Sequence, residues 1–149
     1  MARAWLPAVL LLLAIVALSP EPVDRPVQGG LAAVIAQLQS MGLPTWVDYW
    51  FVEAAANILL FVPVGAAASV YFTGLRWWQV GAFGLFISGC IELAQFLFLQ
   101  NRFATPLDLV TNTGGAFLGT LAVSKCRRMI ARLRRRRPSF LAFLQEPDH

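Results

Sequence analysis

The sequence predicts an all-α membrane protein, with four transmembrane helices in a small bundle and a short extracytoplasmic amphipathic helix. Of the 149 residues, 58% are hydrophobic and only 13% are charged, whereas about 25% are charged in an average soluble domain. Four apolar runs take up roughly half of the chain, and eight of the twelve basic residues lie within thirteen positions near the C-terminus. Such a chain has no room for a separate soluble catalytic domain.

The four predicted spans are the apolar runs at residues 5–19, 50–72, 77–99 and 107–124. The first is short for a bilayer that needs about 20 helical residues, and it resembles a signal peptide. Because Pro20 follows Ser19 where a small-x-small cleavage site would lie, we interpret it as an uncleaved anchor. In the fourth run, Gly115 and Gly119 form a G-x-x-x-G pair, which lets a neighbouring helix come close.

The distribution of basic residues predicts the orientation. With a cytoplasmic N-terminus, ten of the twelve basic residues lie on the cytoplasmic side, and only Arg25 and Arg102 lie outside. Both termini are then cytoplasmic. Residues 125–149 form a basic cytoplasmic tail, which we interpret as an anchor on anionic membrane lipids rather than a nucleic-acid site.

The segment 20–45 is the only sizeable extracytoplasmic loop in this topology. Within it, apolar residues recur at helical spacing, which predicts a short amphipathic helix; they are Leu31, Val34, Ile35, Leu38 and Met41. Two interpretations are open: the helix lies on the outer membrane surface, or it packs over the bundle as a lid.

The composition excludes several kinds of chemistry. His149 is the single histidine, and the two cysteines, Cys90 and Cys126, are far apart in the sequence. The sequence therefore has no zinc motif, no serine-histidine pair and no disulfide framework, and we expect no metal or cofactor.

Polar residues inside the predicted spans are the candidates for function, because an ionisable group there costs about 3 kcal/mol on insertion scales. At about 1.5 Å per residue, Asn57, Glu92 and Asn112 all lie roughly 7–10 Å inside the outer ends of their helices. Three helices thus place polar groups at one level in the outer leaflet. Residues with side chains at the rim or on the same helical faces complete the set: Glu53, Gln95, Arg102 and Asp108.

Two interpretations of this set compete. The groups join the helices by hydrogen bonds, with Arg102 neutralising one or two carboxylates, or they form an outward-facing ligand site; we favour the site. Its main residues are Glu92, Arg102, Asp108 and Asn112, supported by Asn57, Gln95 and Glu53. Three acids against one base favour the protonated form of Glu92, which then acts as a general acid or as a neutral hydrogen-bond donor.

Four stretches carry a resemblance to a known family: NILLFVPVG at 57–65, SGCIELAQ at 88–95, Arg102, and DLVTNTGGAFLG at 108–119. In this order they resemble the motifs of the VanZ-like family of bacterial membrane proteins, over residues 53–119 or so. The resemblance implies a multi-pass protein of the bacterial plasma membrane. The founding member is associated with low-level resistance to the glycopeptide teicoplanin, and the family implies no settled biochemical activity. The arginine-rich tail is not part of the family pattern.

The predicted function is that of a non-enzymatic membrane protein that binds a polar or lipid-linked ligand of the cell envelope, such as a cell-wall precursor head group or a lipoglycopeptide. One alternative is an intramembrane enzyme that uses a carboxylate on a lipid-linked substrate, although no hydrolase motif such as G-x-G-D is present. Another is a helical scaffold or permease subunit. The sequence does not indicate an oligomeric state.

Overall fold

The computed structural model describes residues 4–19, 28–99 and 105–136. These parts of the chain form five helices and no strand, which confirms the all-α class. The helices are α1 (Trp5–Ala17), α2 (Gln28–Ser40), α3 (Tyr49–Tyr71), α4 (Trp77–Phe98) and α5 (Pro106–Arg136).

Helices α3 and α4 follow the second and third apolar runs to within one residue at each end. They contain 23 and 22 residues, and both are long and apolar enough to cross a membrane. Asp48 caps α3 by accepting a hydrogen bond from the Phe51 N–H at 2.9 Å. At the start of α4, the Arg76 N–H donates to Oε1 of Gln79 at 2.8 Å. At the start of each helix, a side chain therefore accepts a hydrogen bond from a backbone N–H that has no partner within the helix.

Helices α1 and α5 differ from the predicted spans. Helix α1 has 13 residues, about 20 Å of helix, against an apolar layer of about 30 Å. Helix α5 has 31 residues, and the predicted boundary at Ser124 falls inside it. The reason is that residues 120–136 contain no glycine or proline, and arginine and lysine favour helix as strongly as most apolar residues do.

Four of the helices alternate in direction along the chain. Helix α3 runs parallel to α5, because Asn57 contacts Asp108 near the start of both helices and Ser69 contacts Arg127 near the end of α3. Helix α4 runs against α5, since its late residue Ser88 contacts the early residue Asn112.

Helix α1 completes the alternation by running against α3. Leu6 packs with Ala68 and Val80, whereas Leu13 packs with Phe61 and Ala116. These two apolar clusters form the core. The predicted outer end of the bundle is thus the end at which α3 and α5 begin and α1 and α4 end.

The contact between α3 and α5 is the most extensive between any two helices of the described chain. A Cβ atom on Gly115 would overlap the Ile58 carbonyl, and one on Gly119 would overlap the Val62 carbonyl. Gly65 of α3 meets the Ala116 carbonyl in the same way. The predicted G-x-x-x-G pair therefore does allow two backbones to touch, and Gly65 extends the contact from the opposite helix.

Helix α2 confirms a helix at the predicted place, and the predicted apolar residue Met41 follows its last residue. Ile35 is buried, but Val34 is 55%, Leu38 45% and Met41 77% exposed. The helix contacts α3, and Nε2 of Gln39 donates to the Val47 carbonyl at 3.2 Å in the segment that leads to α3.

Candidate ligand site at the predicted outer end

Asp108 is held at the first turn of α5 by Thr105. The Thr105 hydroxyl donates to Oδ2 of Asp108 at 2.7 Å, and the Asp108 N–H donates back to Oγ1 of Thr105 at 3.2 Å. The Thr105 side chain thus caps α5 and also holds the Asp108 carboxylate. A carboxylate in the first turn also lies at the favourable end of the helix dipole.

Asn57 joins Asp108 from the neighbouring helix α3. Its Nδ2 donates to Oδ1 of Asp108 at 2.7 Å, and the contact is partly buried. Both carboxylate oxygens of Asp108 therefore accept hydrogen bonds, one from α3 and one from Thr105. The carboxylate is fixed in orientation and bridges α3 to the start of α5.

Asn112 lies one turn deeper and faces α4. Its Nδ2 donates to Oγ of Ser88 at 2.9 Å, and the two side chains are 5% and 0% exposed. Oδ1 of Asn112 is buried and has no hydrogen-bond partner among the described residues. A buried acceptor left without a donor costs about 1–3 kcal/mol, so this oxygen has the capacity to accept a further hydrogen bond.

We call Asn57, Ser88, Thr105, Asp108 and Asn112 the polar network. It connects α3, α4 and α5 through side chains near one end of the bundle.

The two glutamates of the predicted site lie one turn from members of the polar network. Glu53 precedes Asn57 by four residues on α3, and Glu92 follows Ser88 by four on α4. Both side chains are half-buried, and Oε2 of Glu92 is buried. Their positions place them on the network faces of α3 and α4.

Gln95 contacts helix α1. Its Nε2 donates to the Ala17 carbonyl at 2.8 Å in a buried bond, so it ties the end of α1 to α4. This bond satisfies a carbonyl in the last turn of α1, which the helix itself leaves free. Arg102, the remaining predicted site residue, lies outside the described residues.

Two members of the polar network were not among the predicted site residues. Ser88 lies four residues before Glu92, which puts both on one face of α4. Thr105 stands three residues before Asp108, which is the spacing of a capping box. These two spacings are signals from which both residues can be found.

A groove of about 220 Å³ lies away from the polar network, between α1 and α4. It is lined by apolar side chains of both helices and by Cys90. Across residues 4–19, 28–99 and 105–136, no group of three or more His, Cys, Asp or Glu side chains is placed to hold a metal ion. The polar network offers hydrogen-bond donors and acceptors and one carboxylate bridge, which suits recognition of a polar group.

The fold and the polar network define a class: a small helical bundle with two helices long and apolar enough to cross a membrane, and a hydrogen-bonded polar layer near one end. The chain belongs to the VanZ/LLP1 family, whose model matches residues 5–129. The match begins at the start of α1 and ends inside the long helix α5.

The chain is also similar, over part of its length, to an enterococcal protein. Protein VanZ of Enterococcus faecium is 37% identical over 70 residues, which are 46% of this chain and 42% of that protein. The matched segment therefore spans about two fifths of the relative's length. No solved structure is significantly similar to this chain.

Proposed function

We propose that this chain is a multi-pass protein of the bacterial plasma membrane, whose polar network faces outward and binds a ligand of the cell envelope. The ligand is a cell-wall precursor head group or a lipoglycopeptide. By its similarity to protein VanZ, we further propose a role in resistance to glycopeptides of the teicoplanin type.

Support for four spans comes from the alternation of α1, α3, α4 and α5 and from the lengths of three of them. Helix α5, at 31 residues, is about 46 Å long and exceeds the apolar layer of about 30 Å. The short helix α1 is accommodated by local bilayer thinning, which costs fractions of a kcal/mol per Å. Ten of twelve basic residues then face the cytoplasm.

A cysteine placed at Gln28 tests this topology. In a chain that carries Cys90→Ser and Cys126→Ser, we expect a membrane-impermeant maleimide to label it on intact cells, because the loop lies outside. A cysteine at Arg134 is the matched control and should be labelled only after lysis. Labelling of Gln28→Cys only after lysis contradicts the topology.

The observation that carries the proposed binding is the buried Oδ1 of Asn112, which lacks a donor among the described residues. A ligand hydroxyl or N–H would supply that donor. Asp108 and Asn57, half-buried above it, offer further polar contacts. Arg102 is proposed to pair with an anionic group of the ligand through its planar guanidinium.

Substitutions that separate charge from shape test this function. Expressed in a glycopeptide-susceptible host, Asp108→Asn and Arg102→Lys should lose most of the teicoplanin resistance at wild-type protein levels. Lysine keeps the positive charge but loses the planar fork that fits carboxylates and phosphates. Asp48→Asn is the matched control, since Asp48 caps α3 outside the polar network. Wild-type resistance in both variants would refute a ligand site.

Glu92→Gln tests whether the function needs a titratable group at this position. Glutamine keeps the shape and a hydrogen-bond donor but does not titrate, so a role for Glu92 as a neutral hydrogen-bond donor predicts that resistance is largely retained. Collapse of resistance at normal protein levels would instead favour a general acid, as in the intramembrane enzyme, or a charged partner of the ligand. Asp108 is poorly suited to nucleophilic catalysis, because both of its carboxylate oxygens accept hydrogen bonds within the polar network.

A further inference from the structure

The last three turns of α5 carry an uncovered apolar stripe. Its residues are spaced i, i+3, i+4 and i+7, so they share one face of the helix; they are Cys126, Met129, Ile130 and Leu133. Met129 is 59%, Ile130 44% and Leu133 58% exposed, and Cys126 is also exposed. No helix of the described chain covers this stripe.

Cations lie beside the stripe. Lys125, Arg128 and Arg132 follow one another at i, i+3 and i+7, and all three are exposed. Residues 109–136 contain no aspartate or glutamate, so the helix offers these cations no partner of opposite charge. An apolar stripe flanked by arginine and lysine is typical of a helix at the surface of an anionic membrane.

Arg127 fixes where this basic segment starts relative to the bundle. Its Nη2 donates to the Ser69 carbonyl at 3.0 Å, and Ser69 lies in the last turn of α3. A cation at a helix C-terminus is favoured by the dipole and satisfies a carbonyl that the helix leaves free. Arg127 thus binds to the bundle, whereas Lys125, Arg128 and Arg132 are exposed.

Depth along α5 places the exposed cations at the second membrane surface. At about 1.5 Å per residue, Arg128 lies about 30 Å and Arg132 about 36 Å from Asp108 at the predicted outer rim. The apolar layer is about 30 Å thick, and the head-group layers add roughly 5–8 Å on each side. Arg128 and Arg132 therefore fall among the inner head groups.

We propose that residues 125–134 form a binding surface for anionic phospholipid head groups of the inner leaflet. The arginine and lysine side chains pair with the phosphates, and the stripe of Cys126, Met129, Ile130 and Leu133 packs against the adjoining acyl chains. This inference rests on the proposed four-span topology but not on the proposed ligand. A second copy of the chain is a poor occupant of the surface, because the two basic segments would repel each other.

A cysteine placed at Leu133 provides the reporter, because this stripe residue lies about 38 Å from Asp108, beyond the apolar layer of about 30 Å. The full chain with Cys90→Ser, Cys126→Ser and Leu133→Cys is labelled with a nitroxide and placed in nanodiscs of phosphatidylcholine alone or with increasing phosphatidylglycerol. We expect collisions with a water-soluble nickel relaxant to fall as phosphatidylglycerol rises, and to return in high salt. Arg128→Gln with Arg132→Gln should weaken this protection by roughly five-fold for each charge removed.

The control is Arg76→Gln, which removes one cytoplasmic charge at the start of α4 and should leave the label at position 133 protected. Equal collision rates in neutral and anionic nanodiscs would overturn the proposal. Protection found in native membranes but not in anionic nanodiscs would assign the surface to a protein partner instead. Protection that depends on having two chains per disc would assign it to self-association. None of these outcomes depends on the Gln28 labelling that tests the topology or on teicoplanin resistance.

Discussion

The middle of the bundle and its predicted outer end hold the same helices together in opposite ways. In the middle, α3 and α5 touch through backbone, because Gly65, Gly115 and Gly119 present no side chain. At the outer end, the same two helices are joined by the Asn57–Asp108 hydrogen bond, and α4 is joined to α5 by Ser88 and Asn112.

The glycine contact in the middle of the bundle is rigid, whereas the hydrogen bonds at the predicted outer end are adaptable. A backbone contact admits no substituent, so the middle fixes the register of α3 against α5. The outer hydrogen bonds use side chains that are half-buried at Asn57 and Asp108, so they leave room for movement that a backbone contact does not. The glycine contact acts as a scaffold, and the polar network above it is suited to function.

The largest expected effect comes from a side chain placed in the glycine contact. Gly115→Ala forces a methyl group into the Ile58 carbonyl, and we expect the free energy of unfolding to fall by about 2–3 kcal/mol. Gly114→Ala is the matched control, since a Cβ there meets nothing within 4 Å. It should stabilise the protein by about 0.5–1 kcal/mol, because alanine favours helix over glycine. Unfolding of purified protein in mixed micelles measures both.

An intermediate effect is expected when Asn57 is replaced. Asn57→Ala leaves Oδ1 of Asp108 without its donor from α3 and should cost about 1–2 kcal/mol. A cycle with Asp108→Ala should give a coupling energy of about 1 kcal/mol, in the range found for hydrogen bonds between membrane helices.

Thr113→Val serves as the control for that cycle, since the Thr113 hydroxyl donates only to the Leu109 carbonyl of its own helix at 2.6 Å. A coupling energy near zero between Asn57 and Asp108 would show that their hydrogen bond does not stabilise the association of α3 with α5.

The smallest effect is expected at Gln95, which holds α1 rather than the α3–α5 pair. Gln95→Leu removes the bond to the Ala17 carbonyl and should lower global stability by less than about 1 kcal/mol. Amide exchange in the last turn of α1 should nevertheless quicken, whereas α5 should be unaffected. Phe96→Leu, at a side chain 75% exposed, is the control. Equally faster amide exchange in α1 and α5 would show that Gln95 also stabilises the contact between α3 and α5.

The sequence predicted α3 and α4 well because their ends coincide with changes in hydropathy. It did not indicate that the helix continues beyond the predicted span to Arg136, because hydropathy falls at Lys125 while the backbone preference for helix persists. The number of residues in a helix and the number in its apolar segment are different properties. They differ wherever a basic segment continues the helix beyond the apolar one.

For the site, helical spacing correctly grouped residues by face but did not reveal their partners. Asn57 pairs with Asp108 because the glycine contact sets the axial register of α3 against α5. Asn112 pairs with Ser88 because α4 packs against α5 separately, where Gly84 lies against Ala116. Gln95 shares a face with Glu92, yet it bonds to α1 because that helix ends beside it. Register depends on packing between distant segments, which a single sequence does not encode in local spacing.

The most direct test of the division into scaffold and site is a binding measurement on two isosteric variants of α5. Asn112→Leu removes the buried amide of the polar network, and Thr120→Val removes a buried hydroxyl two turns deeper, whose bond at 2.9 Å stays within its own helix. Teicoplanin and a lipid-linked cell-wall precursor would be titrated against wild type and both variants in nanodiscs. We expect wild type and Thr120→Val to bind one of them alike, and Asn112→Leu to lose at least ten-fold in affinity, about 1.4 kcal/mol. Equal binding by all three proteins, or by none of them, would contradict a ligand site in the polar network.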